Sequence, residues 1–398
     1  MTLTVVGIGA DGWSGLGEPG RRALRAAVTL VGSQRQLDLL PAEAVGNRRA
    51  WPSPMDALVD ELVDSAQDVV VLASGNPMLH GIGATLVRRA GVDRVDVIPH
   101  PSAFSLACAR LGWPQADVEL VSAVARPAAV VAGLLQPGRR LVVYVTGTDG
   151  AARLARVLCE RGFGSSVVTV LEQLGAPGER RVDTSAAEAT GLVTDPLHLV
   201  AVEVGAGPAH ARTPGLADAA FASDGQLTKR HVRAVTLATL GPLPGELLLD
   251  VGAGSGSIAI EWLRAERGTR AIAVEQHEQR AARIAANADA LGVPQLVIVR
   301  GHAPEALAGL PGPDAVFVGG GITAPGLLAA CWTALRPGGR LVANTVTLEG
   351  ERMVLAAREK HGGSLTRIDI AHAEPVGRFT GWRAQMTVIQ WSAVKEPR

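Results

Sequence analysis

Short β-branched runs alternate with longer Ala/Leu/Arg-rich stretches along nearly the whole chain, and this rhythm restricts the fold more than any other feature. The runs at residues 3–6, 69–72, 141–145, 247–251, 271–274, 315–318 and 340–343 are almost wholly apolar. A strand without a polar side is covered on both faces, so these runs are expected in parallel sheets with helices packed on them, an α/β fold. The 398 residues exceed one ordinary domain of roughly 100–200 residues. The rhythm lapses once, at Gly205-Ala-Gly-Pro-Ala-His-Ala-Arg-Thr-Pro-Gly, and a stretch rich in Gly, Pro and Ala reads as a connector. The expected domains are therefore 1–205 and 223–398, with a linker at 206–222.

Charge narrows the partners. The 38 basic and 38 acidic residues cancel and are interspersed, which argues against a surface built for nucleic acid or for an anionic membrane. A small molecule is the expected partner. The first residues lack a basic segment followed by an apolar core, and no run of about 18 uncharged apolar residues occurs, so a cytoplasmic protein is expected. Cys108, Cys159 and Cys331 are far apart, and the nine histidines form no metal-ligand spacing; reduced thiols and no metal are expected.

The most informative segment is Leu247-Leu-Leu-Asp250-Val-Gly252-Ala253-Gly254-Ser255-Gly256-Ser257. It reads as an apolar strand that ends in a glycine-rich turn and enters a helix at 258–264. Glycines there allow positive φ and close approach of a ligand, while the helix start offers free N–H groups. A dinucleotide turn reads G-x-G-x-x-G, whereas this one reads D-x-G-x-G-x-G. The next strand ends at Glu275, positioned to accept hydrogen bonds from ribose hydroxyls, and the one after it leads to Gly301-His302-Ala303, where an adenine would lie.

This arrangement resembles the nucleoside-binding half of class I S-adenosylmethionine-dependent methyltransferases. The resemblance implies cofactor contacts from Thr228, Asp250, Gly252, Ala253, Gly254, Ser255, Gly256, Glu275 and Ala303. Asp224-Gly-Gln-Leu-Thr228-Lys229-Arg230, the triple glycine 319–321, Asn344-Thr-Val-Thr-Leu-Glu349-Gly and Pro375-Val-Gly-Arg378-Phe-Thr-Gly381-Trp382 further resemble the decarboxylating precorrin methyltransferases of cobalamin synthesis. Lys229, Asn344 and Glu349 are candidates for proton handling or substrate alignment. Arg230, Arg233, Arg378 and Arg383 are candidates to hold a polycarboxylate, and Trp382, in a Gly-flanked loop, to line its pocket. Trp262 and Trp332 fall in helical patterns and are expected in the core.

In the first half, Gly7-Ile-Gly9-Ala10-Asp11-Gly12 satisfies G-x-G-x-x-G after a strand, but the second strand ends at Gly32-Ser33 without an acidic residue for a ribose. Taken with Ala73-Ser74-Gly75-Asn76-Pro77, Pro99-His-Pro-Ser102-Ala103-Phe104, Tyr144-Val145-Thr-Gly147 and the run from Leu171 through Leu174 to Arg180, it resembles the tetrapyrrole methylase family. That likeness implies a two-lobed α/β fold, with cofactor contacts from Ala10, Ser74, Gly75, Asn76, Ser102, Ala103, Val145 and Leu174. The chain departs from the family in two places: Asn76 stands where Asp is usual, and Val124-Ala125-Arg126 where His-Gly-Arg is common.

A tetrapyrrole methylase fused to a Rossmann-like class I methyltransferase resembles the bifunctional enzymes of aerobic cobalamin synthesis. The resemblance implies methylation of a precorrin-6 (6B) macrocycle at carbons 5 and 15 and decarboxylation of the carbon 12 acetate, giving precorrin-8X. It also implies two S-adenosylmethionine sites and a homo-oligomer. Two competing readings are a nicotinamide-dependent oxidoreductase, from the Gly7–Gly12 motif, and a cofactor-binding scaffold whose first domain is inactive.

Overall fold

The computed structural model describes residues 3–64 and 68–396. It divides into two compact units: Met1–Ala128 with Gln136–Pro208, and Ala129–Leu135 with Ala209–Arg398.

The first unit holds two sheets. One comprises β1 (Leu3–Ile8), β2 (Thr29–Gly32), β3 (Asn47–Ala50), β4 (Val69–Ser74) and β5 (Val95–Ile98), all parallel in the order β3-β2-β4-β1-β5. The other comprises β6 (Val118–Ser122), β7 (Arg140–Tyr144), β8 (Val167–Glu172), β9 (Arg180–Ser185) and β10 (His198–Glu203), in the order β6-β7-β10-β8-β9. Only its β6–β7 pair is parallel, and β10 runs antiparallel to both of its neighbours. The apolar central strands pack on both faces, as their lack of alternation requires: Val5, Val31 and Val71 lie in one cluster, Val6, Leu30 and Leu72 in another.

Three non-glycine residues of this unit, His80, Ala125 and Gln173, are held at positive φ, and Ala125 has no polar side chain to compensate. Ala125 has φ +55°, where the side chain of an L-residue crowds the following carbonyl at a cost of about 1–2 kcal/mol. Ala125→Gly is expected to stabilise the chain by up to about 1 kcal/mol, the relief being partly offset by the entropy of an unfolded glycine. A urea midpoint that is unchanged or lower would show that the backbone there is not strained.

The second unit is built on one sheet. It contains β11 (Leu247–Val251), β12 (Arg270–Glu275), β13 (Val297–Arg300), β14 (Ala315–Val318), β15 (Arg340–Thr345), β16 (Ser364–Ile368) and, after a separate hairpin of β17 (Ala371–Val376) and β18 (Phe379–Ala384), β19 (Val388–Val394). The order is β13-β12-β11-β14-β15-β19-β16, with β19 antiparallel to both neighbours. Strand order reverses between β11 and β14, which opens a crevice at their carboxyl ends. Trp262 is fully buried in the core on one face and Trp391 on the other.

The stretch 206–222, expected as a linker, is largely exposed but anchored in its second half. Leu216 and Phe221 are buried in the core of the second unit, and the N–H of Leu216 donates to Glu261 at 3.0 Å. The division between units falls at Pro208/Ala209, within that stretch. Two apolar anchors and a buried carboxylate hold this segment, and such anchoring leaves no periodicity in the sequence. Ala129–Leu135 also counts with the second unit, where Gly133 lies against Leu291 and Gly292 so closely that a Cβ on Gly292 would meet the Gly133 nitrogen at 2.0 Å.

Candidate cofactor sites

The crevice of the second unit is a cavity of about 920 Å³. Its floor is the turn after β11. Gly252 has φ +70°, and a Cβ there would meet the carbonyl oxygen and Cα of Gly320 at 2.8 and 2.9 Å, so the turns after β11 and β14 touch backbone to backbone. Only glycine satisfies both conditions. Gly254 has φ +59° and faces the Gln226 carbonyl oxygen, 3.1 Å from where a Cβ would stand. Gly256, at φ +75°, leaves room for Ile284, whose Cγ2 would be 2.7 Å from a Cβ.

Glu275 ends β12 at the cavity wall. The N–H of Gly254 donates to its Oε2 at 2.9 Å and that of His277 to its Oε1 at 3.0 Å. Each oxygen keeps a lone pair, the acceptor pair that two vicinal hydroxyls require. The segment 225–229 passes over the turn, tied down where Ser255 Oγ donates to the Gln226 carbonyl at 2.8 Å and where Asp224 pairs with Arg280 at 2.8 Å and Arg283 at 3.1 Å. Those two guanidiniums hold the Asp224 carboxyl well below the usual carboxylate range.

Asp250 lies beneath the cavity rather than in its lining. Its Oδ2 accepts the N–H of Ala259 at 3.1 Å, while Oδ1 is buried without a partner. Burial pushes its pKa up to about 7, and the nearby Glu275 charge adds to the rise. Because the folded value lies above that of an unfolded aspartate, about 3.9, the folded chain keeps a proton that the unfolded chain gives up. Stability should therefore fall as pH rises from about 4 to about 7, by at most about 1.4 kcal/mol per pH unit, and level off above. Denaturant melts of Asp250→Asn, which keeps the acceptor for Ala259, should show this slope reduced; an identical pH profile would contradict the assignment.

Thr228, Gly252, Ala253, Gly254, Glu275 and Ala303 line the cavity, as do Lys229 and Asn344. Ser255 and Gly256 are buried just behind the turn. Asn344 is fixed: its Nδ2 donates to Thr236 Oγ1 at 2.8 Å, and its Oδ1 accepts from Gln390 Nε2 at 3.0 Å. Lys229 has no side-chain partner among the described residues. Gln385 and Met386, which the sequence reading did not single out, line the far side; they follow the hairpin, and no local pattern marks them.

The expected substrate grips are placed elsewhere. Arg233 is fully buried; it donates to Glu261 at 2.6 Å, to Asp218 at 3.2 Å, and to the carbonyls of Thr228 and Leu216. A guanidinium so committed cannot hold a substrate, and its work is to anchor the chain leading into the cavity. Arg230 donates to the Gly215 carbonyl at 2.8 Å. Arg378, Trp382 and Arg383 belong to the hairpin, where Trp382 is 80% exposed, Arg383 pairs with Glu374 at 3.0 Å and Arg378 stacks on Phe379 at 5.1 Å. Glu349 lies exposed in the first turn of the helix Leu348–His361. None of these six lines the cavity.

In the first unit the expected contacts gather at strand ends. Gly7 permits the approach of two turns, since a Cβ there would meet the Gly75 carbonyl oxygen at 2.1 Å. Ser74 ends β4, Gly75 follows at φ +58°, and Asn76 accepts the N–H of Met78 at 3.0 Å. Ser102 caps the helix Ala103–Leu111 by accepting the N–H of Ser105 at 3.0 Å. The second sheet joins this cluster, because Tyr144 Oη accepts the N–H of Phe104 at 3.1 Å; Val145 follows directly, and Leu174 is buried just after β8. Ala10 lies in the turn after β1, beside Asp11, whose carboxylate sits 3.4 Å from His100 Nε2. The chain after Gly12 does not enter a helix directly: a 3₁₀ turn intervenes and the helix starts only at Glu18. The nicotinamide reading thus lacks the helix start that would cradle a pyrophosphate.

Comparison with known proteins gives two family matches. Residues 2–190 match the tetrapyrrole (corrin/porphyrin) methylases, and residues 219–395 match the precorrin methyltransferase domain. A Sinorhizobium protein named precorrin-6Y C(5,15)-methyltransferase (decarboxylating) is 46% identical over 397 residues, 99% of this chain and 96% of that protein. A protein of the same name from Mycobacterium tuberculosis (strain ATCC 25618 / H37Rv) is 47% identical over 99% of this chain and 100% of its own length. The crystal structure of the C-terminal domain of precorrin-6Y C5,15-methyltransferase from Rhodobacter capsulatus is 49% identical, covering 47% of this chain and 100% of that one with a TM-score of 0.45.

Proposed function

The chain belongs to the family of decarboxylating precorrin-6Y C(5,15)-methyltransferases, and we propose on that premise that each unit holds one S-adenosylmethionine and performs one of the two methylations. It is an S-adenosylmethionine-dependent C-methyltransferase of cobalamin biosynthesis. The first unit methylates carbon 5 of the macrocycle. The second methylates carbon 15 and removes carbon dioxide from the carbon 12 acetate, so that a precorrin-6 (6B) substrate leaves as precorrin-8X.

One observation carries the assignment of the second site: Glu275 and the turn 252–254 face a cavity whose floor no side chain could share. The fit to an adenosyl cofactor is chemical as well as steric. Glu275 has lone pairs for both ribose hydroxyls. S-adenosylmethionine, when bound, supplies an electrophilic methyl group. The residues around it position the partners and exclude water; Ile258 and Phe317 form apolar wall, and no side-chain nucleophile is needed. Lys229 and the fixed carboxamide of Asn344 offer N–H donors to the departing carboxylate. The electron pair released with carbon dioxide passes into the conjugated macrocycle, which is then protonated.

No helix among the described residues is long and apolar enough to cross a membrane; a cytoplasmic homo-oligomer acting on a free tetrapyrrole fits this reading. Mass spectrometry of the full chain incubated with S-adenosylmethionine and precorrin-6 (6B) tests it. A product that has gained two methyl groups and lost one carbon dioxide is expected. A product that gains one methyl group would confine the activity to one unit, and unchanged substrate would overturn the proposal.

A further inference from the structure

We propose that a second cavity, in the first unit, binds a carboxylate side chain of the macrocycle; the inference rests on the substrate class just given. The cavity has a volume of about 320 Å³ and is lined by residues that include Ala125, Arg126, Val145, Thr146, Gly150 and Arg153. It lies at the carboxyl ends of β6 and β7 and has room for an acetate or propionate arm, not for a macrocycle.

Its two guanidiniums differ. Arg153 is already committed, paired with Asp149 and donating to the Thr146 carbonyl, so it serves as a wall whose charge is balanced. Arg126 has no side-chain partner among the described residues and is exposed. It is the uncompensated cation of this cavity, and a planar guanidinium matches a carboxylate with two parallel hydrogen bonds.

The backbone is shaped to bring it there. The N–H of Ala123 donates to the Tyr144 carbonyl at 2.8 Å, and that of Arg126 to the Ala123 carbonyl at 3.3 Å, which ties the turn to the end of β7. Between them Ala125 is held at φ +55°. Strain of this kind persists where surrounding structure enforces it, often at a binding site. Val145, expected at the cofactor, shares the cavity wall, so a carboxylate seated on Arg126 would belong to the molecule receiving the methyl group.

Residue-resolved modification separates this site from the other cavity. The full chain is treated with phenylglyoxal, alone or with uroporphyrin III or S-adenosylhomocysteine, and the modification of Arg126 is followed by peptide mass. Uroporphyrin III should slow it about tenfold, the effect of a charge-assisted pair, while S-adenosylhomocysteine alone should leave it unchanged. No protection by uroporphyrin III overturns the proposal, and equal protection by S-adenosylhomocysteine assigns the cavity to the cofactor and overturns it as well. In turnover, Arg126→Gln should raise KM for carbon 5 methylation about tenfold at unchanged kcat, with carbon 15 methylation unaltered and Arg126→Lys intermediate; unchanged KM argues against the site. If Arg126 is protected but no methyl group is transferred to any precorrin, the site stands and the assigned reaction falls.

Discussion

Gly252→Ala is expected to lower the affinity of the second unit for S-adenosylhomocysteine about a hundredfold, close to 3 kcal/mol. Two costs add. An alanine at φ +70° pays about 1–2 kcal/mol for its conformation, and its Cβ would stand 2.8–3.0 Å from three backbone atoms of Gly320. Backbone cannot swing aside as a side chain can, so the turns after β11 and β14 must part and the cofactor floor deforms. Titration calorimetry on the full chain should show the number of sites fall from two to one. Gly254→Ala provides the graded comparison, because its Cβ would meet the Gln226 carbonyl oxygen at 3.1 Å and no other atom closer than 3.9 Å; it should lose less. Two undiminished sites in Gly252→Ala would mean that the cofactor lies elsewhere.

Arg233→Ala should destabilise the second unit by about 3–5 kcal/mol, the usual cost of leaving one charge of a buried pair alone. Glu261, itself buried, would lose its 2.6 Å partner while still accepting the Leu216 N–H at 3.0 Å. The carbonyls of Thr228 and Leu216 would lose their donor, and the Phe221 ring the guanidinium 4.7 Å from its centroid. Chemical denaturation of the variant is the measurement, and a loss below about 1 kcal/mol, the scale of an exposed pair, would contradict the anchoring role. Thr228 and Lys229 lead directly from this anchor into the cavity, so cofactor affinity should weaken along with stability. A double variant, Arg233→Met with Glu261→Leu, should recover only part of the loss, since the N–H groups of Gly215 and Leu216 would stay without an acceptor.

These two residues differ in how far they could be read beforehand. Gly252 stands in a strand–turn–helix segment whose parts are neighbours in sequence, and so does Glu275 at the end of the next strand. The role of Arg233 could not be read this way. In sequence it looks like one more arginine near a loop, and it was expected at a substrate rim. It is buried because helix Arg230–Leu240 packs beside helix Ser257–Ala265, where Glu261 waits. Trp382 misled in the opposite direction: a Gly-flanked tryptophan suggested a pocket wall, but an independent hairpin carries it out to 80% exposure. Ala125 and Arg126 drew notice only as a departure from a family pattern, and their cavity exists because β6 and β7 lie side by side.

What the chain's own order of residues determined was local: apolar strands alternating with helices, hence an α/β fold, and glycines where φ is positive, hence the turn that opens a nucleoside crevice. It did not determine that β7, expected in a parallel sheet, would lie in one whose other three pairs are antiparallel. Steric limits on φ and ψ act between adjacent residues and leave their mark there. Tertiary structure alone decided which polar groups are spent and which are available. Asn344 is fixed by Thr236, 108 residues away, and Gln390 reaches Thr236 across 154 residues, whereas among the described residues the side chains of Lys229 and Arg126 stay without partners. A hydrogen bond depends on distance and angle in space, and no spacing along the chain encodes those.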